Sequence, residues 1–352
     1  MESILVTGGT GFIGSHTSLL LLEKGHTLFI LDSCINSSKK SIDHISMFFK
    51  GQGIELKGKL NFIKGDIKNK ADIEKVFQKS LKIKKPIEAV IHFAGLKSVF
   101  DSIVDPLNYW NNNVFGTICL LEIMEKFGCK NIVFSSSATV YKNLQSDRLL
   151  NEDDLCEPIN PYGNTKLAIE RILKDVFKKE PSQWRIACLR YFNPVGAHES
   201  GCIGEDPLGK PNNIYPQITK VAKGILKEIK IFGSDWPTQD GTGIRDYIHV
   251  MDLAEGHLLA LNHLMKNSPQ ILTINLGTGK GTSVLELINI FQKVNNVVVP
   301  FSFADRRPGD NAIVVADNTL AKNILNWLPR RNIEEICRDG WNWQLKNPDG
   351  YR

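Results

Sequence analysis

The stretch that most constrains the fold of this chain lies at its N-terminus. Residues 3–7 are mostly apolar, Gly8, Gly11 and Gly14 follow them, and residues 19–22 are all leucine. This order predicts a strand, a glycine-rich turn and a helix. Glycine permits a tight turn and a close approach of a ligand to the backbone, and the free N–H groups that begin the helix favour a pyrophosphate. The alternative is a plain strand–turn–helix in which the glycines serve packing.

A second predicted strand indicates which nucleotide this turn would bind. Residues 27–31 are mostly apolar, and Asp32 follows them directly. An acid at this spacing from the glycines is where a dinucleotide-binding motif reads the hydroxyls of the adenosine ribose. Because a carboxylate repels a ribose 2′-phosphate, Asp32 favours NAD over NADP. The sequence therefore predicts an NAD-binding domain.

The composition weighs against several other classes of protein. The 352 residues carry a net charge of +5, which suits an anionic small-molecule ligand but does not favour nucleic acid. No apolar run has the length of a membrane span, and the first strand begins too early to leave room for a signal peptide. The seven cysteines form no Cys-x-x-Cys pair. They fit reduced thiols in the cytoplasm better than disulfides or a metal site.

Predicted strands alternate with predicted helices, a pattern typical of a parallel sheet. We expect a Rossmann-type, doubly wound α/β domain over residues 1–191 and a smaller mixed α/β substrate-binding domain over residues 192–352. Residues 246–276 are expected to return to the first domain. Asp66 follows the third predicted strand, where it could meet the adenine or cap the next helix. Asparagines at 111–113, poor helix formers, indicate either a polar contact or an exposed face.

Tyr162 and Lys166 form the candidate catalytic pair. They are four residues apart near the start of a predicted helix, so they lie on one face, one turn apart. An ammonium beside a phenol lowers the pKa of the phenol, and a bound nicotinamide would add positive charge. Such a phenol can take a proton from a sugar hydroxyl while hydride leaves the carbon for NAD⁺. Ser137, after the fifth predicted strand, could hydrogen-bond the same oxygen. Taken alone, a Tyr-x-x-x-Lys motif could instead be a chance pair of residues on one helix.

Longer motifs resemble a known family. Residues 7–16, TGGTGFIGSH, and residues 162–166, YGNTK, resemble the extended short-chain dehydrogenases/reductases. More narrowly, the chain is similar to the UDP-glucose 4-epimerase (UDP-galactose 4-epimerase) family. The matching stretches are HFAGLK (92–97), FSSSATVY (134–141), LRYFNPVGAH (189–198), GEDP (204–207), PNN (211–213), DGTGIRDYIHVMDLA (240–254) and RRPGD (306–310). Together the matches cover nearly the whole chain.

The resemblance implies reversible C4 epimerisation of UDP-glucose and UDP-galactose. Hydride would pass transiently to tightly bound NAD through a 4-keto intermediate, in an enzyme that is commonly a homodimer. Tyr162 and Ser137 would act on the C4 hydroxyl, with Lys166 on the nicotinamide ribose. The other implied cofactor contacts are Gly8, Gly11, Phe12, Ile13, Gly14, Asp32, Asn36, Asp66, Ile67, Phe93, Ala94, Lys97, Asn112 and Phe192. The other implied substrate contacts are Asn193, Asn213, Phe232, Arg245, Arg307, Asp310 and Val314.

Val314 lies at the family's position that gates the 2-substituent of the sugar. This position is four residues after the aspartate of the RRPGD stretch. In the family a tyrosine there restricts the enzyme to plain hexoses, whereas a small residue admits N-acetylated ones. Val314 therefore implies activity on UDP-GlcNAc and UDP-GalNAc as well.

Three other functions compete with this interpretation. A 4,6-dehydratase typically needs an Asp-Glu pair beside the threonine that follows strand five, but this chain has Ser137-Ala138-Thr139. A uronate 4-epimerase fits the motifs of this chain better than a dehydratase does, although the hexose-type motifs weigh against it. A non-catalytic NAD-binding sensor would lose the tyrosine or the lysine of the helix motif, and this chain keeps both.

Overall fold

The computed structural model describes residues 1–56, 58–142, 148–208, 213–307 and 310–351. Residues 211–212 and 308–309, which belong to two of the family-like motifs, lie outside the described residues. Within the described ranges, no helix is both long and apolar enough to cross a membrane.

Strands and helices alternate through the first half of the chain. The strands are β1 (Ser3–Thr7), β2 (Thr27–Asp32), β3 (Leu60–Lys64), β4 (Ala89–His92), β5 (Asn131–Ser137) and β6 (Arg185–Tyr191). The helices are α1 (Phe12–Glu23), α2 (Lys40–Gly51), α3 (Lys70–Lys82), α4 (Val99–Val104), α5 (Pro106–Tyr109), α6 (Gly116–Lys126) and α7 (Pro161–Lys179). A π-helical turn, Trp110–Phe115, joins α5 to α6, and a 3₁₀ turn, Ala138–Val140, follows β5.

Shorter strands and further helices make up the second half. The strands are β7 (Asn193–Val195), β8 (Ile229–Phe232), β9 (Ile244–Arg245), β10 (Tyr247–His249), β11 (Gln270–Leu276), β12 (Thr282–Ser283), β13 (Phe301–Ala304) and β14 (Ile313–Val314). The helices are α8 (Ile214–Ala222), α9 (Val250–Lys266), α10 (Val284–Asn295), α11 (Thr319–Leu325) and α12 (Ile333–Lys346). In small sheets, β7 pairs with β10, β8 pairs with β13, and β9 lies between β12 and β14.

One seven-stranded sheet carries the glycine-rich turn. Its strand order is β3-β2-β1-β4-β5-β6-β11, and every neighbouring pair is parallel. The strand order reverses direction between β1 and β4, and a crevice for ligands opens at the carboxyl ends of the strands at such a point. The predicted doubly wound, Rossmann-type sheet is confirmed.

The burial pattern explains why the sheet is covered on both faces. Every residue of β1, β2 and β4 is buried, as expected of parallel strands with helices on both sides. On one face, Leu19 and Leu21 of α1 belong to the same buried cluster as Leu253 of α9. On the other face, Phe77 of α3 and Leu173 of α7 belong to a second cluster. The two clusters fix the glycine-rich turn between rigid elements.

The last strand of this sheet, β11, comes from the second half of the chain. β11 pairs with β6 at the edge of the sheet, in a register that joins Gln270 to Arg185 and Leu276 to Tyr191. The preceding helix, α9, packs against α1. Elements from both halves therefore border the carboxyl ends of the strands.

Candidate active site

The turn between β1 and α1 is shaped by its glycines. Gly8 has a φ of 71°, and a Cβ added to it would lie 2.6 Å from the backbone nitrogen of Ala94. A Cβ on Gly14 would lie 2.3 Å from the carbonyl oxygen of Gly8. Gly11 is the N-cap residue of α1 and offers no side-chain cap, so the first N–H groups of the helix, from Phe12 onward, have no side-chain acceptor at this cap. This cradle fits the pyrophosphate of a dinucleotide.

Asp32 joins this turn to the loop that follows β2. Its side chain is buried, its Oδ2 accepts a hydrogen bond of 2.9 Å from the N–H of Thr10, and its Oδ1 accepts one of 2.8 Å from the N–H of Cys34. Because an ionised carboxylate can accept about four hydrogen bonds, it keeps capacity for ribose hydroxyls. Asn36, further along the loop, is exposed, and its carbonyl accepts a hydrogen bond from the N–H of Leu208.

Asp66 and Ile67 follow β3 at the same edge of the sheet. Oδ1 of Asp66 accepts a hydrogen bond of 2.9 Å from the N–H of Lys68. Asp66 does not cap the next helix, because Asn69 caps α3. Ile67 is buried against Gly116, where an added Cβ would lie 2.6 Å from its Cδ1. Asp66 thus stays beside the crevice, and its Oδ2 lies 3.5 Å from Nζ of Lys68.

Three predicted cofactor residues follow β4. The ring of Phe93 lies 4.8 Å from that of His257, measured between centroids. Ala94 contacts the glycine-rich turn through its backbone, as the packing of Gly8 requires. Lys97 points across the crevice, and its Nζ forms an ion pair of 3.2 Å with Glu205. The loop after β4 therefore borders both the glycine-rich turn and the second half of the chain.

The three asparagines lie in the π-helical turn, a feature often found at functional sites. Asn112 is partly exposed, and its amide donates a hydrogen bond of 2.8 Å to Oδ1 of Asn108. Asn113 is buried, accepts a hydrogen bond of 2.8 Å from the N–H of Leu96, and donates one of 3.1 Å to Oγ1 of Thr165. A role for Asn112 at the cofactor stays a prediction, whereas Asn113 joins the β4 loop to α7.

Tyr162 and Lys166 lie in the first two turns of α7. Asn160 caps this helix, accepting a hydrogen bond of 2.8 Å from the N–H of Gly163. Lys166 is buried, and its Nζ lies 5.8 Å from the centre of the Tyr162 ring. The same Nζ donates a hydrogen bond of 2.7 Å to the carbonyl of Ser135 in β5. The predicted pair therefore shares one helix face, beside the carboxyl end of β5.

Burial sets the ionisation of this pair. It raises the pKa of Tyr162 to about 12, against a hydrogen bond with Ser137 that lowers it. It also lowers the pKa of Lys166 to about 8, against the charge of Glu170, which raises it. In the protein alone, burial therefore raises the pKa of the phenol in spite of the nearby ammonium, because desolvation disfavours the phenolate.

A buried ion pair behind the helix was not predicted from the sequence. Glu170 accepts hydrogen bonds from Arg190 of β6, at 3.0 Å from Nε and 2.7 Å from Nη2. Both side chains are almost fully buried, at 1% and 3% exposed. Ser136 also donates to Glu170. The one signal in the sequence is that Glu170 follows Lys166 by four residues, on the same helix face.

Phe232 and Arg307 form a stacked pair in the second half of the chain. The guanidinium carbon of Arg307 lies 3.8 Å from the centre of the Phe232 ring, a geometry that suits planar cation–π stacking. The N–H of Asp310 donates to the carbonyl of Arg307. Asn213 is exposed and immediately precedes α8 as its N-cap residue, while Asn193 pairs with Tyr247 in the β7–β10 ladder.

Arg245 and Val314 are neighbours in the β9–β14 ladder. Arg245 is partly buried, and its Nη1 donates a hydrogen bond of 2.8 Å to the carbonyl of Ile244. Val314 packs against a buried cluster that contains Phe192 and Tyr141. The predicted gate residue is thus held between a predicted substrate arginine and a predicted cofactor residue.

Asp246 positions this ladder, although the sequence did not single it out. It is fully buried, and burial raises the pKa of its carboxyl. It accepts hydrogen bonds from the N–H and hydroxyl of Thr278, at 2.7 and 2.6 Å, and from the N–H groups of Gly279 and Ala316, at 3.0 and 3.2 Å. Through these bonds it fixes the strand that carries Arg245. Among the described residues, no group of His, Cys, Asp and Glu could hold a metal ion.

Comparison with known sequences extends these observations to the whole chain. The sequence model of the family described as GDP-mannose 4,6 dehydratase matches residues 5–340. The UDP-glucose 4-epimerase of Bacillus subtilis (strain 168) is 49% identical over 351 residues, which cover 99% of this chain and 99% of the relative.

Two solved structures are similar over 99% of both chains. One is a UDP-glucose 4-epimerase from Stenotrophomonas maltophila with bound NAD and formylated UDP-arabinopyranose, at a TM-score of 0.92 and 43% identity. The other is a UDP-glucose 4-epimerase from Bifidobacterium longum in complex with NAD⁺ and UDP, at a TM-score of 0.90 and 42% identity. Their bound molecules are a dinucleotide and a uridine nucleotide, the two classes of ligand that the sequence predicts for this chain.

Proposed function

Because this chain belongs to the UDP-glucose 4-epimerase family of extended short-chain dehydrogenases/reductases, we infer that it interconverts UDP-glucose and UDP-galactose by inverting C4. The observation that carries this function is that Tyr162, Lys166 and Ser137 meet at the carboxyl end of β5, on the same edge of the sheet as the glycine-rich cradle. A phenol, an ammonium and a hydroxyl at the carboxyl end of β5 suit the oxidation and reduction of a sugar carbinol.

NAD is the cofactor of this reaction. When bound, it accepts a hydride from C4 and returns it. Gly8, Gly11 and Gly14, with Phe12 and Ile13, would hold the pyrophosphate, and Asp32 would hold the ribose hydroxyls. The remaining proposed contacts are those of Asn36, Asp66, Ile67, Phe93, Ala94, Lys97, Asn112, Lys166 and Phe192.

Tyr162 is proposed as the acid–base group. It removes the O4 proton as C4 loses hydride, while Ser137 hydrogen-bonds the same oxygen. Since burial raises the pKa of Tyr162, the base form needs the positive charge of the cofactor and of Lys166 beside it. The planar 4-keto sugar then turns over, and Tyr162 returns the proton to O4 as hydride arrives on the opposite face. The configuration at C4 is thereby inverted.

The nucleotide must stay bound while the sugar turns. We assign this task to residues on the other side of the crevice, where the stack of Arg307 on Phe232 offers a cation and an aromatic face. Arginine suits phosphate because its planar donors bind two oxygens at once. The full proposed set is Asn193, Asn213, Phe232, Arg245, Arg307, Asp310 and Val314.

The function is tested by incubating the purified protein with UDP-galactose and no added cofactor. UDP-glucose should form until both epimers coexist, and the protein should release NAD(H) when it is denatured. UDP-glucuronate in a parallel incubation tests the uronate alternative. A strict requirement for external NAD that is consumed as product forms would contradict the assignment.

The dehydratase named by the matching family model is disfavoured by the chemistry after β5. Elimination of water would need a carboxylate beside Thr139, and the turn Ala138–Val140 provides none. Glu170 is nearby, but it is occupied by Arg190. We therefore propose epimerisation without elimination.

We further propose that the enzyme also epimerises UDP-GlcNAc, because Val314 is smaller than the tyrosine that restricts members of the family to plain hexoses at this position. Replacing Val314 with tyrosine should lower kcat/KM for UDP-GlcNAc about 10-fold or more, the scale of overpacking a filled site. Turnover of UDP-galactose by the same variant is the internal control and should persist. If the unsubstituted protein does not turn over saturating UDP-GlcNAc, the gate assignment is wrong.

We propose a homodimer formed through the helices after β4. Phe100, Ile103, Val104 and Leu107 present exposed apolar side chains, between 62% and 79% exposed, and contiguous apolar surface of this kind favours a protein partner. Light scattering should give twice the chain mass of 39.5 kDa, and Leu107→Asp should give the monomer. A monomer at micromolar concentration before substitution would refute the proposal.

We also propose that the protein works in the cytoplasm. All seven cysteines are free thiols, and Cys34, Cys156 and Cys202 are partly exposed. A reducing compartment preserves such thiols. Cell fractionation tests this proposal, and recovery of the active protein only from an oxidising compartment would contradict it.

A further inference from the structure

A strap of the second half crosses the cofactor crevice. We define the strap as residues 201–208. Glu205 forms its ion pair with Lys97, which follows β4, and the N–H of Leu208 donates to the carbonyl of Asn36, which follows β2. Because β1 lies between β4 and β2 in the sheet, the strap runs across the carboxyl end of β1. It therefore joins the two loops on either side of the glycine-rich turn.

The strap is hydrogen-bonded to residues 347–351. These residues follow α12, and we call them the latch segment. The hydroxyl of Tyr351 accepts a hydrogen bond of 3.0 Å from the N–H of Gly204 and donates one of 3.1 Å to its carbonyl. The N–H of Tyr351 donates one of 2.9 Å to Oδ2 of Asp206. Asn347 donates one of 3.0 Å to the carbonyl of Gly201.

Tyr351 also contacts the helices that flank the cofactor loops. It is buried, with 4% of its surface exposed. Its ring lies 5.1 Å from that of His44 in α2 and 4.7 Å from that of Trp343 in α12. Its hydroxyl also interacts with Ser15, in the first turn of α1. One side chain thus joins the strap to the two helices that carry the glycine-rich turn and the ribose loop.

The packing leaves the strap little freedom to shift while the latch segment is in place. A Cβ on Gly204 would lie 2.2 Å from the indole of Trp343, and one on Gly350 would lie 2.2 Å from Asp206. His44 contacts the carbonyl of Cys202 at 2.9 Å. These contacts hold the strap against α2, α12 and the latch segment.

We propose that the latch segment retains NAD(H) in the enzyme, and that Tyr351 is the positioning residue that holds the strap closed. The proposal rests on the proposed function, because only an enzyme that oxidises and reduces the same molecule must keep its cofactor through the cycle. If NADH left while the sugar was a 4-ketose, the hydride could not return and the ketose would be released. Retention therefore protects the outcome of each turnover.

Tyr351→Phe tests the proposal because it removes the hydroxyl and keeps the ring. The N–H and carbonyl of Gly204 lose their partner, and loss of two such hydrogen bonds should speed NAD(H) release about 5- to 150-fold. Asp206→Ala, which frees the backbone of Tyr351, should also speed release. The measurement is the NAD(H) that stays with the holoenzyme, followed over time by rapid gel filtration.

Tyr215→Phe is the matched control. Tyr215 is also buried, and its hydroxyl bonds to the carbonyls of Ile336 and Cys337, at 3.1 and 3.0 Å. It should lower the unfolding temperature without changing the rate of NAD(H) release. With excess NAD present, Tyr351→Phe should recover its kcat, because the latch acts on retention and not on chemistry.

The outcomes separate the latch from the function. Suppose that the unsubstituted enzyme epimerises without added NAD, but that Tyr351→Phe and Asp206→Ala release NAD(H) no faster than the unsubstituted enzyme does. The latch is then refuted and the proposed function stands. If Tyr215→Phe speeds release as much as Tyr351→Phe, the effect is general destabilisation, and the latch is again refuted. If the unsubstituted protein holds no NAD(H), the proposed function itself fails.

Discussion

Replacing Tyr162 with phenylalanine is expected to lower kcat by about 10²–10⁴-fold, the usual contribution of a positioned general base. Protonated Lys166 cannot take over as the base, because its ammonium carries no acceptor and donates to the carbonyl of Ser135. The ring is kept, so the fold and the NAD content should not change. Initial rates with UDP-galactose, the NAD(H) released on denaturation and far-UV circular dichroism measure the three quantities.

The control for this variant is again Tyr215→Phe, which removes a buried hydroxyl that bonds to the carbonyls of Ile336 and Cys337. Its kcat should stay close to that of the unsubstituted enzyme. Near-normal turnover by Tyr162→Phe would remove Tyr162 from the acid–base role. Loss of bound NAD(H) in Tyr162→Phe would instead point to a role in cofactor binding.

Replacing Glu170 with glutamine should lower the free energy of unfolding by about 3–5 kcal/mol, the range for breaking one side of a buried ion pair. Arg190 would then stay charged in a site where it is only 3% exposed. A second effect concerns Lys166, whose pKa of about 8 is raised by Glu170 against burial. Without that carboxylate the pKa falls further, so Lys166 loses its charge at a lower pH.

Two measurements check the Glu170→Gln variant. Urea denaturation gives the stability, and the high-pH limb of the kcat profile should move to lower pH if protonated Lys166 supports the reaction. Glu74→Gln is the control, since Glu74 pairs with Lys126 on the surface, at 2.8 Å, where salt bridges contribute little. Equal stability losses in the two variants, or an unmoved pH limb in Glu170→Gln, would contradict this account.

The sheet could be predicted from the sequence because its signals are local. The strand expected at residues 27–31 spans Thr27–Asp32, and an apolar run followed by glycines was enough to place β1 and α1. Tyr162 and Lys166 could be placed together because a helix brings residues four apart to one face. These inferences need only the chain within a few residues of the feature.

Features that depend on distant contacts could not be predicted. Asn113 bonds to Thr165, and Asp246 bonds to Thr278 and to Ala316, so no local pattern marks either as a structural centre. Helix periodicity alone could not decide between Asn112 and Asn113, because a π-helical turn alters the register. The bonds of Tyr351 to Gly204 join residues at opposite ends of the second half.

The ionisation of the site also depends on burial, which the sequence does not specify. The pair Tyr-x-x-x-Lys suggested a phenol with a lowered pKa, yet burial raises the pKa of Tyr162 to about 12 and lowers that of Lys166 to about 8. The Tyr-x-x-x-Lys motif brings the phenol and the ammonium to one helix face, but the burial of the two groups by surrounding side chains sets their pKa values. The positive charge of bound NAD⁺ would therefore have to supply activation that Lys166 alone does not provide.

The central claim is that hydride leaves C4, stays with the bound cofactor and returns to the same carbon. It is tested most directly with UDP-galactose that carries deuterium at C4, incubated in ordinary water with the purified protein and no added NAD. The account predicts UDP-glucose with the deuterium still at C4, detected by mass spectrometry and NMR. Product with hydrogen from solvent at C4, or a released keto sugar formed with consumption of external NAD, would contradict it.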